Sequence, residues 1–373
     1  MDIKRLAITL IKFLVSFAIL AWLFNKARQD GEFEKMWTSQ KNWGWLTVGV
    51  LGCFGAHVLS YIRWQFLVRA LGLPFTFFDA IRIGFIGSFF NLFAFGVVGG
   101  DSLRAFYVVR QTKNRAPEAI ASVVMDRVIG LLTMFSFAAG TYLFFDFSQL
   151  TGADPEKLSQ IKLVCQFAFI ATAIGICGFV TMMFSPAITN SKWFGRLMEL
   201  PKVGPLIRKL TDMVNIYRSR PGTIVVSFML SIGVNLCFVI GIFAIAAGIT
   251  QTYPSVAEHF MVAPLSMVAN AVPLPGGVGG MEFALPLLYR GVAEVAVPES
   301  HGVVVAFAFR FVLLSIAAIG AFAWFLNRNQ LKTMMDEKED ENTVNATADA
   351  EDMNPYSSAS SEIANPAKSD PQT

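Results

Sequence analysis

Six long apolar stretches constrain the fold of this chain more than any other feature. A helix needs roughly 20 mostly apolar residues to cross the hydrocarbon core of a bilayer. The stretches that meet this requirement are Leu6–Phe24, Trp43–Val68, Pro117–Phe145, Leu163–Phe184, Thr223–Ile249 and Gly302–Leu326. Only 15% of the residues are charged, against about 25% in soluble domains. The sequence therefore predicts an all-α polytopic integral membrane protein.

Two further apolar regions, Pro74–Arg110 and Ser255–Tyr289, are interrupted near the middle by glycine or proline. Irregular backbone at membrane depth survives only where protein buries it or where it lines a wet cavity. Each region is therefore expected to form two half-helices that meet at a turn. The predicted architecture is about six full spans plus two broken re-entrant helical hairpins.

Lysine and arginine mark the loops that are expected to be cytoplasmic. Residues 185–222 contain seven basic residues and residues 104–115 contain four, whereas 146–160 and 250–301 contain one each. These counts predict a multi-pass protein of the cell inner membrane with both termini in the cytoplasm. The loop after the first stretch opposes this orientation, since it carries four basic residues on the expected outer side. The later loops agree with one another and decide the prediction.

Two segments outside the spans have a distinct character. Residues 185–222 mix cations with apolar side chains, which is typical of a helix lying on an anionic inner leaflet. A solvated basic linker is an equally good interpretation of the first half of that segment. Residues 331–373 carry ten acidic and three basic residues. Such a composition predicts a disordered acidic tail, which leaves 1–328 as the transmembrane domain.

The order of elements predicts an inverted-topology repeat of about 1–145 and 161–328. Each half reads as two spans, a broken hairpin and a further span, and the second half starts on the opposite side of the membrane. In each hairpin an asparagine precedes a glycine-rich break, and an acidic residue follows it. An arginine then lies in the next span, 26 residues after Asp101 and 28 residues after Glu282. Discontinuous helices at a repeat interface are typical of transporters.

The residues of the two breaks and the charges near them are the predicted site. They are Asn91, Gly99, Gly100, Asp101, Arg104, Asp126, Arg127, Asn270, Pro275, Gly276, Gly277, Gly279, Glu282 and Arg310, with Arg63 as a weaker candidate. A charge at membrane depth needs a partner or water. Arg127 is expected to pair with Asp101 or Asp126, and Arg310 with Glu282. Two interpretations stay open: structural ion pairs that fix the hairpins, or a polar cavity for a charged or sugar-bearing head group.

Known catalytic and cofactor motifs are missing from the sequence. It contains no P-loop, no GxGxxG and no GxSxG, and its four cysteines and three histidines match no metal-binding spacing. The acidic residues in the spans have no accompanying nucleophile and base. The sequence therefore predicts no enzymatic activity, no cofactor, no metal and no nucleic-acid partner, and it does not indicate an oligomeric state. His57 is expected to be a packed or hydrogen-bonded side chain.

Several motifs, taken in order, resemble one family. The first half contains "IRWQFLVRALGLPFTFFDAIRIGFIGSFFNLF", "GGDSLRAF" and "ASVVMDRVIGLL", and the second contains "PLPGGVGGMEFALPLLY" and "FAFRFVLL". Together they resemble the flippase-like family that includes the transmembrane domain of lysylphosphatidylglycerol synthase, the multiple peptide resistance factor. The resemblance covers roughly 1–328 and implies a membrane domain that handles lipids.

The chain departs from the family pattern at two places. Phe95-Gly96 stands where the family often has Pro-Gly, and Met281 stands where it often has an arginine. The missing cation weakens the case for an anionic head group in the second half. The soluble aminoacyl-transfer domain of the full-length synthase has no counterpart in this sequence, so the chain is not expected to aminoacylate lipid.

The resemblance implies translocation of a membrane lipid, anionic or polyprenyl-linked, between leaflets. The alternative is a non-transporting membrane partner that binds lipid substrate for a separate glycosyltransferase or lipid synthase. A third hypothesis is a membrane-embedded lipid-modifying transferase that uses Asp101 or Glu282 as a base. It is the weakest of the three because no nucleophile or metal set accompanies those acids.

Overall fold

The chain is all-helical over the part that the computed structural model describes. That part is residues 40–93, 97–111, 115–144, 155–186, 204–270, 280–292 and 297–352, with isolated positions at 25 and between 191 and 199, and with side chains in the last segment as far as Leu326. The helices are α1 (Trp43–Ala70), α2 (Phe77–Phe93), α3 (Val97–Gln111), α4 (Ala116–Phe144), α5 (Pro155–Phe184), α6 (Gly204–Tyr217), α7 (Pro221–Ile249), α8 (Val256–Asn270), α9 (Gly280–Val292) and α10 (Glu299–Asp352).

Five helices in the described ranges are long and apolar enough to cross a membrane. They are α1, α4, α5, α7 and the part of α10 up to Leu326. They coincide with the second to sixth spans predicted from sequence, so the prediction of a polytopic helical membrane protein is confirmed. The first predicted span, Leu6–Phe24, lies outside the described residues.

Each interrupted region forms two short helices that pack against each other, as the glycine and proline breaks predict. Helices α2 and α3 form the first hairpin, and α8 and α9 form the second. Both hairpins begin with a reciprocal capping box, in which a side-chain hydroxyl and a carboxylate each accept a backbone N–H of the other residue. In α2 the pair is Thr76 and Asp79, with both bonds at 3.1 Å. In α8 it is Ser255 and Glu258.

The most extensive helix contact joins α1 to α7, which run antiparallel. Glycines allow their backbones to approach: a Cβ on Gly52 would lie 3.1 Å from the carbonyl oxygen of Cys237, and one on Gly241 would lie 2.9 Å from Cys53 Sγ. Small residues at such contacts are typical of packing in lipid, where no hydrophobic force drives helices together. Helix α4 packs against both α1 and α7.

The described parts of the predicted inner segment 185–222 and the predicted outer segment 250–301 lie at opposite ends of α1. At one end, Tyr217 Oη donates to the Leu67 carbonyl at 3.0 Å and Arg218 Nε donates to the Met183 carbonyl at 3.1 Å. We call this the basic end, because residues 185–222 belong to it. At the other end, the Asn42 N–H donates to the Gly248 carbonyl at 3.1 Å. The His301 ring is hydrogen-bonded to Thr252 near that same end.

Two polar segments differ from their sequence-based description. Helix α6, inside the basic segment 185–222, buries Val214 and Tyr217 and packs on α4 and α5, so protein covers its apolar face.

Residues from Trp324 form a separate unit. Helix α10 stays helical to Asp352, whereas the sequence predicts disorder from residue 331. No glycine or proline lies between 331 and 352, and the many Glu, Lys, Met and Ala residues favour helix. Residues 353–373 lie outside the described part.

Candidate functional site

Five ionisable side chains of α1, α3 and α4 lie near one another in two ion-paired sets, Arg63 with Asp126 and Asp101 with Arg104 and Arg127. We call all five the first-half cluster. Its members are Arg63, Asp101, Arg104, Asp126 and Arg127. The glycine break lets α3 begin beside α2, and this places Asp101 and Arg104 next to α4. Three guanidinium groups and two carboxylates give the cluster one excess positive charge. Charges in an apolar bundle are costly without partners, so the pairing inside the cluster decides what it can bind.

Arg63 is satisfied by two helices at once. Its Nε lies 2.7 Å from Asp126 Oδ1 on α4, and its Nη1 donates to Ser231 Oγ on α7 at 2.6 Å. Arg63 is only 5% exposed, so protein encloses its side chain. Asp126 therefore pairs with Arg63, and Arg127 pairs with Asp101, the other of its two predicted partners.

Arg127 binds Asp101 through two parallel hydrogen bonds. Its Nε lies 2.6 Å from Oδ2, and its Nη2 lies 2.5 Å from Oδ1. Bidentate guanidinium–carboxylate pairs are among the strongest hydrogen-bonded pairs in proteins. The Arg127 side chain is still 41% exposed, so its outer edge is accessible while its inner edge holds Asp101. Asp101 is the fifth residue of α3, and its carboxylate pairs with Arg127 as one of the two predicted partners.

Arg104 is the least satisfied member of the cluster. It is 5% exposed, and its guanidinium lies 5.5 Å from the ring centres of both Tyr61 and Trp64. Its Nη1 is 3.8 Å from Asp101 Oδ1, which is beyond hydrogen-bond length. Its buried Nε has no hydrogen-bond partner among the described residues. Its Nη2 donates to the Gly84 carbonyl at 3.4 Å. Arg104 is therefore a buried cation that lies beside two aromatic rings and keeps spare donor capacity.

Asn91 caps the start of α3. The Asn91 Oδ1 on α2 accepts the N–H of Gly100 at 3.0 Å, which is one of the first four N–H groups of α3 and has no partner within the helix. A Cβ on Gly100 would collide with the carbonyl oxygen of Gly87 on α2. This close approach is the physical reason for a glycine at the break. Gly99 lies in the same first turn of α3 and is half-buried.

The second half contributes one ion pair, Glu282 with Arg310, which we call the second-half pair. Glu282 is in the first turn of α9 and Arg310 is on α10. Arg310 Nε lies 2.6 Å from Glu282 Oε1, and the two side chains are 11% and 1% exposed. The predicted pairing is present. A buried pair of this kind carries no excess charge, unlike the first-half cluster.

Four predicted site residues fall outside the described part of the chain: Pro275, Gly276, Gly277 and Gly279. Asn270 is the last residue of α8, and its side chain also lies outside the described part. His57 is packed against Tyr61 and Phe238 and is hydrogen-bonded to the Cys53 carbonyl, as expected.

Sequence reasoning missed three side chains that complete the first-half cluster. Tyr61 and Trp64 enclose Arg104, and Ser231 satisfies Arg63. Tyr61 Oη is also hydrogen-bonded to Ser88 Oγ at 2.6 Å. Ser231 was detectable in principle as a hydroxyl inside a strongly apolar stretch. The aromatic residues gave no signal, since tyrosine and tryptophan are ordinary packing residues in membrane helices.

A family model for the transmembrane region of lysylphosphatidylglycerol synthase matches residues 9–320. The chain belongs to that family. The match spans both hairpins, the first-half cluster and the second-half pair. No curated protein and no solved structure is significantly similar to the chain.

Membership in the lysylphosphatidylglycerol synthase transmembrane-region family fits the helical architecture, because that family is a membrane domain. It is also consistent with a function connected to membrane lipids. The matched region ends at residue 320, before the helical extension of α10 and the acidic residues beyond it.

Proposed function

We propose that the chain translocates an anionic or polyprenyl-linked lipid between the leaflets of the inner membrane and has no enzymatic activity of its own. The observation that carries this proposal is the excess positive charge of the first-half cluster. Arg104 retains an unpaired buried Nε, and Arg127 exposes the outer edge of its guanidinium. A phosphate group would satisfy both arginines through charge-assisted hydrogen bonds.

The proposal includes an inverted-topology repeat of residues 1–145 and 161–328. Asn91 follows the capping residue Thr76 by fifteen positions, and Asn270 follows Ser255 by fifteen. In each hairpin a tyrosine of the second helix reaches back to the start of the first. Tyr107 contacts Asp79 at 3.4 Å, and the Tyr289 hydroxyl is 2.8 Å from a His259 ring nitrogen.

Helix packing supports the same repeat. Helix α4 of the first half contacts α8 of the second. In the reciprocal contact, Gly320 of α10 packs against Phe85 of α2. Antiparallel packing of α1 on α7, which are equivalent spans, is what a two-fold axis in the membrane plane requires. Repeats of this kind place substrate sites near the bilayer midplane, where broken helices meet.

Translocation is tested with the purified chain in proteoliposomes that contain a head-group-labelled fluorescent phosphatidylglycerol. A membrane-impermeant quencher reports how fast label leaves the outer leaflet. Replacing Asp101 by Asn frees Arg127 from its countercharge and rearranges the phosphate-binding face. We expect the rate to fall at least about tenfold, equivalent to about 1.4 kcal/mol of barrier, with a smaller effect on thermal unfolding.

The matched control is Asp212→Asn, which removes an exposed carboxylate on α6 and should translocate at the wild-type rate. A near wild-type rate for well-folded Asp101→Asn would reject the cluster as the translocation site. Saturable lipid binding without any translocation by the wild-type chain would instead favour the alternative, a lipid-binding partner of a separate synthase or glycosyltransferase.

A further inference from the structure

A pocket lies at the connection between α1 and α2, apart from the residues of the first-half cluster. Its volume is about 960 Å³, within the range of about 300–1,000 Å³ typical of small-molecule sites. Its polar walls come from Gln65, Arg69, Thr76 and Asp79. Its apolar walls include Phe75 and Phe77.

The local sequence explains why the pocket forms here. Helix α1 stops at a glycine with positive φ, Gly72 at 73°, a backbone conformation that glycine adopts without strain. Pro74 follows, and α2 starts at its capping box only a few residues later. The chain therefore turns back sharply, and the last turn of α1 faces the first turn of α2 across open space. A Cβ on Gly72 would meet no atom within 4 Å.

Gln65 is an unpartnered polar group in this pocket. It is 7% exposed, and its carboxamide makes no hydrogen bond to another residue that the structure describes. Its amide atoms are not among the fully enclosed polar atoms of the described residues, so they are open to the pocket. An amide that faces a cavity can exchange its hydrogen bonds to water for hydrogen bonds to a ligand. Since Gln65 lines the pocket, a bound ligand is the natural partner for its amide.

Arg69 provides the uncompensated charge of the pocket. It lies one helical turn after Gln65, so both side chains are on one face of α1. Arg69 is exposed, and no carboxylate of the described ranges pairs with it. Asp79 does not compensate it, because its Oδ2 accepts from Thr76 and its Oδ1 accepts from Arg82 at 3.2 Å.

We propose that this pocket binds a phosphate-linked, hydroxyl-bearing group. Arg69 contacts the phosphate, and the carboxamide of Gln65, which both donates and accepts, bonds to the hydroxyls. Phe75 and Phe77 contact the apolar part of the ligand. The pocket is at the basic end of the bundle, and it shares no lining residue with the first-half cluster. The inference therefore does not depend on translocation.

The proposal is tested by ligand binding to the full-length chain in detergent. The probe is phosphatidylglycerol, whose head group carries a phosphate and two hydroxyls, and phosphatidylcholine is the comparison lipid without hydroxyls. Gln65→Leu removes the amide at similar size, and Arg69→Gln removes the charge. We expect each variant to weaken phosphatidylglycerol binding about five- to tenfold, the loss of one or two hydrogen bonds. Phosphatidylcholine binding should be weaker in the wild type and insensitive to Gln65→Leu.

Two control variants make the result specific. Arg69→Lys keeps the charge and should bind within about threefold of wild type, and Arg208→Gln removes an exposed arginine of α6 and should have no effect. Soluble sn-glycerol 3-phosphate is titrated in parallel. Binding that depends on Gln65 and Arg69 supports a free phosphoester as ligand, and its absence beside lipid binding supports a lipid head group.

Unchanged affinity for both probes in Arg69→Gln would overturn the proposal. That variant changes an exposed side chain, so it remains informative even if Gln65→Leu fails to fold. Equal affinity of the wild type for phosphatidylglycerol and phosphatidylcholine would also contradict it, because the role given to Gln65 requires hydroxyls. Neither outcome bears on the translocation assay, which depends on a different set of residues.

Discussion

At the scale of single residues, Arg104 shows how the first-half cluster differs from an ordinary set of ion pairs. Each of the other four charges has a short hydrogen bond to an opposite charge. Arg104 instead lies between two aromatic rings, with a buried Nε that has no partner in the described part of the chain. A guanidinium in this position is held by its surroundings and still able to donate, which is what recognition of an anion requires.

Gly100 provides a prediction at this scale. Replacing it by alanine would drive a Cβ into the Gly87 carbonyl, so α3 would have to move away from α2 and stretch the bond from Gly100 to Asn91. We expect destabilisation by about 2 kcal/mol or more, measured as a lower midpoint of thermal unfolding in detergent. Gly55→Ala is the control, since its Cβ meets nothing within 4 Å. Equal midpoints for the two variants would contradict the close approach of α2 and α3.

The ion pairs show how far residue contacts follow from sequence. Charges in apolar helices must find partners, and this rule correctly paired Arg310 with Glu282 and included Asp101 as a partner of Arg127. It could not choose between Asp101 and Asp126, because the choice depends on which helices are adjacent. Gln65 was missed for another reason: one glutamine near the end of a span resembles a solvated residue, and only its 7% exposure shows otherwise.

At the scale of helices, the sequence predicted where helices break but not what covers them. The two hairpins were recognisable from glycine, proline and acidic residues, whose effects on the backbone are local. Helix α6 packs on α4 and α5 with its apolar face, and its location at the membrane surface stays a prediction. An amphipathic pattern shows that one face is apolar, and it is the same whether lipid or protein covers that face.

Helix α6 gives the second prediction. Val214 is 1% exposed on the face that packs against the bundle, whereas Asn215 is exposed on the other face. Val214→Glu buries a charge without a partner and should destabilise the protein by about 3 kcal/mol or more. Asn215→Glu should change stability by no more than about 0.5 kcal/mol. Thermal unfolding in detergent distinguishes the two, and a tolerated Val214→Glu would mean that α6 is not docked on α4 and α5.

At the scale of the whole molecule, the described parts of segments 185–222 and 250–301 lie at opposite ends of the bundle, as their charges predicted. The start of α1 follows a basic loop and yet lies at the end opposite the basic end. The basic end joins the ends of α1, α5 and α6, and the opposite end joins the start of α1 to the end of α7. The sequence predicted which segments lie at the same end, because the number of Lys and Arg residues is a property of a whole loop. It does not depend on which helices touch.

Orientation is the third prediction. Single cysteines at Ser219, at the basic end, and at Gln251, at the other, are both exposed and are introduced into a chain without its natural cysteines. If the basic end is cytoplasmic, an impermeant thiol reagent added to cells with a permeabilised outer envelope should label position 251 and leave 219 protected. Disruption of the membrane should then make 219 reactive. Labelling of 219 alone would reverse the orientation.

The two hydrogen bonds of Arg63 limit how the two halves of the chain could evolve separately. Its guanidinium donates to Asp126 in its own half and to Ser231, 168 residues away in the other half. Two halves that arose by gene duplication would begin as copies free to diverge separately. The hydrogen bond between Arg63 and Ser231 would end that freedom. A substitution at Ser231 would then remove a partner of Arg63 in the other half. If the two halves are a duplicated repeat, replacing one half by a second copy of the other would leave Arg63 or Ser231 without its hydrogen-bond partner.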